Sequence, residues 1–162
     1  MHELDINLVT LPPDKQESEM TKNLLLTAAF MLSTLATTAQ TADSTAFRAY
    51  IYNNEYEVFM RINFYDKDIV VPGQELFGPL PGYLQKERNS FSWLILDAKL
   101  TSPSSASLQM INDYGSDDLM AELTQKDDTT YVLRQLSGAT LKVPKNGKWQ
   151  KLPKTIEMKR KK

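Results

Sequence analysis

Apolar and polar residues alternate along most of the chain from Ala46 onward. The longest run, over residues 56–64, has one apolar face made of Tyr56, Val58, Met60, Ile62 and Phe64. Arg61 and Asn63 lie on the opposite face. A period of two is the pattern of a half-buried strand, so this run is predicted to be the strongest strand of the chain. The same period returns over residues 94–100, 106–110, 119–123, 139–143 and 156–158.

Turn residues separate these runs. Asn53 and Asn54 follow an aromatic and β-branched run, and asparagine tolerates the positive φ of a tight hairpin. Asn146 and Gly147 form the strongest hairpin signal. Short strands at roughly ten-residue spacing, without a long amphipathic helix, predict an all-β fold: a small antiparallel barrel of about eight strands, lipocalin-like or OB-like. A sandwich is the alternative, and the barrel is favoured because closure leaves no exposed strand edge.

Residues 71–83 interrupt this rhythm. They contain three of the eight prolines and three of the six glycines, so they cannot form a regular central strand. Binding residues often lie on loops held by a rigid scaffold. One interpretation is therefore a shaped loop at the mouth of the barrel, with Phe77, Leu80 and Tyr83 as contact groups. The other is a crossover whose apolar residues plug the end of the barrel.

A pattern of a different kind runs from Met20 to Ala39. Lys22 precedes an apolar stretch over residues 24–36, which ends in small residues. This order of charge, apolar core and small residues is typical of a secretory signal peptide. The core of about 13 residues is short for a membrane span of about 20. We therefore expect export, with cleavage leaving Gln40 first, or cleavage after Ala42 as the second choice.

The remaining boundaries follow from that assignment. Residues 1–19 show no packable period, so Met20 is expected to be the true start and the preceding segment a disordered extension from a start codon assigned too early. Residues 40–45 are expected to be a short linker, and residues 46–162 a single β-barrel domain with a basic C-terminal tail. The chain has no cysteine to acylate. We expect a soluble periplasmic or extracellular protein without a stable membrane anchor.

Composition limits the chemistry. The chain is 41% hydrophobic and 24% charged, with a net charge of −1, which suits a soluble domain and does not suggest nucleic acid binding. It has no cysteine, and its one histidine is His2. Residues 40–162 thus lack the usual nucleophile and base pairs and the usual zinc ligands. No glycine-rich phosphate loop is present, and we expect no cofactor.

Acidic residues weakly suggest two kinds of site, a hydrolase site and a calcium site. Two carboxylate pairs could serve a hydrolase, namely Glu55 with Glu57 or Asp117 with Asp118. Such pairs arise by chance at this density of charge, so we expect no enzyme. The loop after Asn112 weakly suggests a calcium site made of Asp113, Asp117 and Asp118. It lacks EF-hand spacing, and the favoured interpretation is a solvated turn in which Asp113 and Ser116 bond local backbone amides.

Basic residues collect near the C-terminus. Five of them recur at every third position: Lys142, Lys145, Lys148, Lys151 and Lys154. That period is neither strand nor helix, so they are expected to spread over both sides of a hairpin and its loops. Solvation is favoured over attraction to an acidic partner or an anionic lipid surface. Trp149 lies among them and Trp93 opens a strand. Exposed tryptophans often anchor interfaces, but core packing is the favoured role of both.

Several stretches together resemble a group of small exported proteins of Bacteroidetes. They are residues 71–75, 80–83, 111–119, 138 with 140–142, and 148–153, so the likeness spans about residues 46–160. The resemblance implies an exported single-domain β fold and no particular activity. In size, location and barrel class the chain is also similar to the potempins, exported inhibitors of secreted proteases. Those proteins are typically lipid-anchored through a cysteine, which this chain lacks.

These observations lead to three functional hypotheses. The first is an exported, non-enzymatic module that binds a protein, in the manner of a protease inhibitor, through the loop of residues 72–83. Trp149 is a further candidate contact residue. The second is a calycin-like barrel that holds a small apolar ligand against the inward face of residues 56–64. The third is a carboxylate-based hydrolase. In each case we expect a monomer.

Overall fold

The computed structural model describes residues 45–161, which form twelve strands and one short 3-10 helix. The expected signal peptide, the expected start at Met20 and all but the last residue of the expected linker lie outside the described residues. The strands are β1 (Arg48–Asn53), β2 (Val58–Asn63), β3 (Ile69–Val70), β4 (Pro79–Leu80), β5 (Gly82–Lys86), β6 (Ser92–Ser102), β7 (Ser105–Asn112), β8 (Asp118–Gln125), β9 (Thr130–Gly138), β10 (Lys142–Lys145), β11 (Lys148–Lys151) and β12 (Thr155–Arg160). The 3-10 helix spans Glu75–Phe77.

Eight of these strands close into an antiparallel barrel in the order β1-β2-β5-β6-β7-β8-β9-β12, with β12 returning to β1. Ile51 of β1 pairs with Met60 of β2 on one side and with Arg160 of β12 on the other. Apart from the β12-β1 closure, each barrel strand pairs with the barrel strands next to it in sequence. The two short hairpins, β3-β4 and β10-β11, are insertions between barrel strands. The predicted barrel is confirmed, with eight strands in an up-and-down meander.

The inward positions of the barrel strands form one apolar cluster. The inward residues of β2, which are Val58, Met60 and Ile62, are each at most 2% exposed. Trp93 and Tyr131, the largest side chains of the cluster, are fully buried. An eight-stranded barrel can be filled by side chains or can hold one small ligand, and here the inward side chains contact one another in a single cluster. The strand face expected to line a ligand cavity therefore packs into the core.

Both ends of the barrel are covered by connecting segments. At the first end, Phe47 stacks on Phe64 with ring centroids 5.4 Å apart, and the Tyr131 hydroxyl donates to the Ala46 carbonyl at 2.5 Å. At the second end the β10-β11 hairpin lies over the core. Val143 of the hairpin and the flanking residues Leu141 and Leu152 are buried. The Trp93 indole N–H donates to the Lys142 carbonyl at 2.9 Å, which fixes the hairpin to the barrel.

Turn residues predict one hairpin correctly and another only in part. Asn146 and Gly147 both have positive φ and join β10 to β11 directly, as predicted. Asn53 instead pairs with Val58, so the first hairpin has a four-residue connection rather than a tight Asn-Asn turn. The run predicted over residues 139–143 was wrong as one strand, because it crosses the break between β9 and β10.

Strand β9 does not follow from the alternation, because its apolar residues lack a clean period of two. Tyr131 and Leu133 face the core, but Val132 between them is also apolar and Leu136 beyond them is half exposed. A register shift in the β8-β9 pairing, at Met120, further disturbs the period. No helix within residues 45–161 is long and apolar enough to cross a bilayer.

Gly138 ends β9 where only glycine fits. Its φ is +90°, and a Cβ there would lie 2.5 Å from the Asp118 carbonyl oxygen. Gly147 also has a positive φ, +74°, but a Cβ added there would meet no atom within 4 Å. We expect Gly138→Ala to lower the free energy of unfolding by roughly 2–4 kcal/mol, from strain plus a backbone clash. Gly147→Ala should cost only about 1–2 kcal/mol. Urea unfolding checks both, and equal losses would contradict the clash.

Candidate functional site

Most of the proline- and glycine-rich segment belongs to a flap, residues 69–80, that folds back over the outer wall of the barrel. Ile69 of β3 pairs with Leu80 of β4 at its base. A second apolar cluster joins this base to outward-facing residues of β5 and β6. Its buried members are Ile69, Val71, Leu80, Tyr83 and Leu94. The flap is therefore neither a loop at the barrel mouth nor a plug of the barrel end.

This placement divides the three candidate contact groups of the flap. Leu80 and Tyr83 are 8% and 4% exposed and hold the flap on the barrel. Phe77 is 48% exposed, beside a fully exposed Leu76. The tip of the flap is thus the 3-10 helix Glu75–Phe77, which has no buried residue. The spacing of prolines and glycines indicates an irregular loop but not which of its side chains face the barrel.

The second end of the barrel carries two exposed aromatic side chains, Tyr114 and Trp149, that pack on the buried Phe91. The Phe91 ring is 4.8 Å from that of Trp149 and 5.6 Å from that of Tyr114. Tyr114 is 72% exposed and Trp149 is 48% exposed. The Lys142 ammonium lies 5.6 Å from the centre of the Trp149 ring. These four residues are called the Trp149 surface below.

Hydrogen bonds from two polar side chains hold the segments that carry this surface. Asn112, 1% exposed, accepts the backbone amides of Ser116 and Asp117 and orders the loop that presents Tyr114. Gln135 accepts the Leu141 amide at 2.7 Å and donates to the Pro153 carbonyl at 2.6 Å. Gln135 thereby clasps both ends of the segment that contains the β10-β11 hairpin. The sequence does not single out either residue, because their partners lie across strand connections.

The lysines of the hairpin face one another in pairs. Lys142 pairs with Lys151, and Lys145 pairs with Lys148. Like charges directly opposite on a two-stranded sheet are destabilising, by about 0.2–1 kcal/mol for each pair. Asp117 offsets part of this repulsion through an ion pair with Lys142 at 2.7 Å. The hairpin therefore concentrates positive charge beside Trp149.

The acidic loop is built differently from the predicted turn. The Asp113 carboxylate accepts the amide of Ser92, which lies across the strand pairing on β6, and the Ser116 hydroxyl accepts from the Asn112 side chain. Burial raises the pKa of Asp113 above its ordinary value of 3.8, while the Ser92 amide acts to lower it. Its second oxygen is buried without a partner among the described residues.

The weak calcium candidate is not assembled. Asp117 is bound to Lys142 and to the Asn112 amide, and Asp113 is turned toward Ser92. No cluster of three or more carboxylate or imidazole groups suited to a metal ion occurs within residues 45–161. Asp118 begins β8 and is exposed. The loop carries out a structural task, which is to position Tyr114.

One carboxylate of each pair considered for hydrolysis has a structural partner. Glu57 accepts a hydrogen bond from the buried Lys86 ammonium at 2.8 Å. That contact holds the pKa of Glu57 below its usual range. Glu55 lies exposed in the β1-β2 connection. With Asp117 paired to Lys142, one member of each proposed pair is engaged in an ion pair.

No family of known proteins, curated protein or solved structure matches this chain. Its function is therefore inferred from the geometry of its own surfaces.

Two substitutions in the flap test which of its residues hold it on the barrel and which are exposed at its tip. Leu80→Ala should lower the free energy of unfolding by about 2–4 kcal/mol because it empties a buried site. Leu76→Ala, at the fully exposed tip, should change it by less than about 0.5 kcal/mol. Chemical denaturation measures both. A large loss from Leu76→Ala would mean that the tip is packed rather than free.

Asp113 should make stability depend on pH in a direction opposite to that of a salt-bridged acid. Its raised pKa means that the folded protein holds the proton more tightly, so its contribution is fully present below pH 3.8. That contribution is lost as the pH rises through the raised value. We expect the stability of Asp113→Asn relative to the unmodified chain to increase from acid to neutral pH. Urea midpoints across that range measure it, and a constant difference would contradict the burial of the carboxylate.

Proposed function

We propose that this chain is an exported, non-enzymatic binding module that docks an acidic protein partner on the Trp149 surface. The observation that carries the proposal is the grouping of Trp149 and Tyr114, both substantially exposed, around Phe91 at a cationic hairpin. Tryptophan and tyrosine are enriched among the few residues that dominate the binding energy of protein interfaces. A rigid barrel end presents them with little ordering cost.

The arrangement of charge supports an acidic partner. Two lysine pairs face each other across β10-β11, and only Lys142 among the four has an ion pair with a described residue. A partner with carboxylates opposite the hairpin would relieve this repulsion and would also speed association. The same lysines repel a basic partner. The positive charge of the hairpin thus favours acidic partners over basic ones, while the aromatic rings supply the contact area.

A binding role fits the described carboxylates better than hydrolysis does. Glu57 and Asp117 are held in ion pairs with Lys86 and Lys142, which removes them from the role of a free acid or nucleophile. The small-ligand barrel takes second place, because the inward side chains of β2 pack into the core with at most 2% exposure. Export remains part of the proposal on the strength of the apolar segment after Met20.

The first experiment is affinity capture from the exported fraction of the source cells, with the purified chain as bait. Trp149→Ala should weaken binding of the captured protein at least about tenfold, as expected for an interface anchor. Leu100→Ala is the matched control, because Leu100 is similarly exposed, at 47%, near the other end of the barrel. Thermal unfolding and tryptophan fluorescence, which comes from Trp93 alone in Trp149→Ala, verify that both variants fold.

The dependence of association on salt tests the role of the lysines separately from that of Trp149. Replacing Lys148 and Lys151 with glutamine should slow association and flatten its dependence on ionic strength. Capture that is unchanged by Trp149→Ala would overturn the assignment of the surface. A partner that is basic overall would overturn the assignment of its charge. If the partner is a protease, residual activity at saturation tests the inhibitor hypothesis directly.

A further inference from the structure

A concave site lies on the outer wall of the barrel, at the end away from the Trp149 surface. It is a groove of about 360 Å³ between the outer face of β1-β2 and the flap. That volume is within the range of small-molecule sites. Its lining includes Arg48, Tyr50, Arg61, Asn63, Asp68 and Ile69.

One wall of the groove is a fixed hydrogen-bond network around Asn63. This side chain is 6% exposed, and its amide donates to Asp66 and to Asp68, the latter at 2.8 Å. Its carbonyl oxygen accepts the Asp66 amide and the Arg48 side chain. Arg48 also forms an ion pair with Asp66. Arg48 and Asp66 therefore neutralise each other and serve as scaffold.

The charges left over in the groove are Arg61 and Asp68. Arg61 is exposed at the centre of β2, and no described residue forms an ion pair with it. Asp68 uses one carboxylate oxygen for Asn63, and no described residue hydrogen-bonds to the other. The two line the same groove without forming an ion pair with each other. A ligand in the groove can thus contact the Arg61 guanidinium and the Asp68 carboxylate oxygen that bonds to no described residue.

An apolar and aromatic wall completes the site. Tyr50 stacks on Phe59 with centroids 5.1 Å apart, and the Lys161 ammonium lies 5.4 Å from the centre of the Tyr50 ring. Burial raises the pKa of Tyr50, so its hydroxyl stays protonated and able to donate. Ile69 of the flap contributes aliphatic surface.

We propose that this groove binds a small zwitterion of the α-amino acid class. Arg61 would bind the carboxylate through its planar fork of N–H donors. Asp68 would accept hydrogen bonds from the ammonium group, and the side chain of the ligand would lie against Tyr50 and Ile69. A doubly charged phosphate is disfavoured, because Asp66 already neutralises Arg48 and the carboxylate of Asp68 lines the same groove. The site is separate from the proposed docking of a protein partner and does not depend on it.

The test uses L-phenylalanine as the probe and ¹H–¹⁵N spectra of the whole chain as the readout. Titration should move the amide signals of residues 48–50 and 61–63 in a saturable manner. Two analogues each lack one charge: 3-phenylpropanoate has no amino group, and 2-phenylethylamine has no carboxylate. Each should bind at least about tenfold more weakly, because one charge-assisted hydrogen-bonded contact is lost.

Variants test the same assignment from the protein side. Arg61→Gln and Asp68→Asn should each weaken L-phenylalanine binding at least about tenfold. Arg134→Gln is the matched control, because Arg134 is an exposed strand arginine on β9 whose partner is Glu122. Unperturbed spectra outside the groove verify folding. Saturable binding lost in both variants and retained in the control supports the site. Absence of shifts at millimolar L-phenylalanine, or equal binding by Arg61→Gln, overturns it.

Discussion

The structure depends on the pairing of β1 with two partners at once. β1 bonds to β2, its neighbour in sequence, and to β12 at the other end of the domain. This closure leaves none of the eight barrel strands with an open edge and encloses the apolar faces of all of them. Because the barrel is narrow, its interior is filled by side chains such as Trp93 and Tyr131. Contact with other molecules is thereby left to the ends and the outer wall.

The two inserted hairpins turn those outer regions into distinct surfaces. The flap lies on the outer wall through its own apolar cluster and forms one side of the groove beside Arg61. The β10-β11 hairpin covers the second end through Leu141 and Val143, and carries Trp149 on its outer side. Both insertions have a buried side that anchors and an outer side that is free. Both surfaces are thus held in place by contacts with the barrel.

The β10-β11 hairpin also shows a conflict between local and overall stability. Its turn, Asn146-Gly147, is well suited to a tight hairpin, whereas its cross-strand lysine pairs oppose strand pairing. Burial of Leu141, Val143 and Leu152, together with the Gln135 clasp, outweighs that repulsion. The hairpin thus holds its cross-strand lysine pairs at a fixed place in spite of their local cost.

The sequence by itself determined the fold class and most of the strands, whereas only the tertiary structure decided which residues anchor and which stay exposed. Alternation places Val58, Met60 and Ile62 on one face wherever the strand lies, because successive side chains of a strand point to opposite sides. It failed at β9, where Val132 is apolar without facing the core and a register shift breaks the period.

Phe77 and Tyr83 are similar in kind, yet one is half exposed and the other buried, because the flap docks on β5 and β6 through long-range contacts. Trp149 and Tyr114 lie far apart in sequence and meet at Phe91 only because barrel closure brings three connections to one end. Local sequence sets the direction of a side chain along its strand, but its neighbours in space depend on which strands pair.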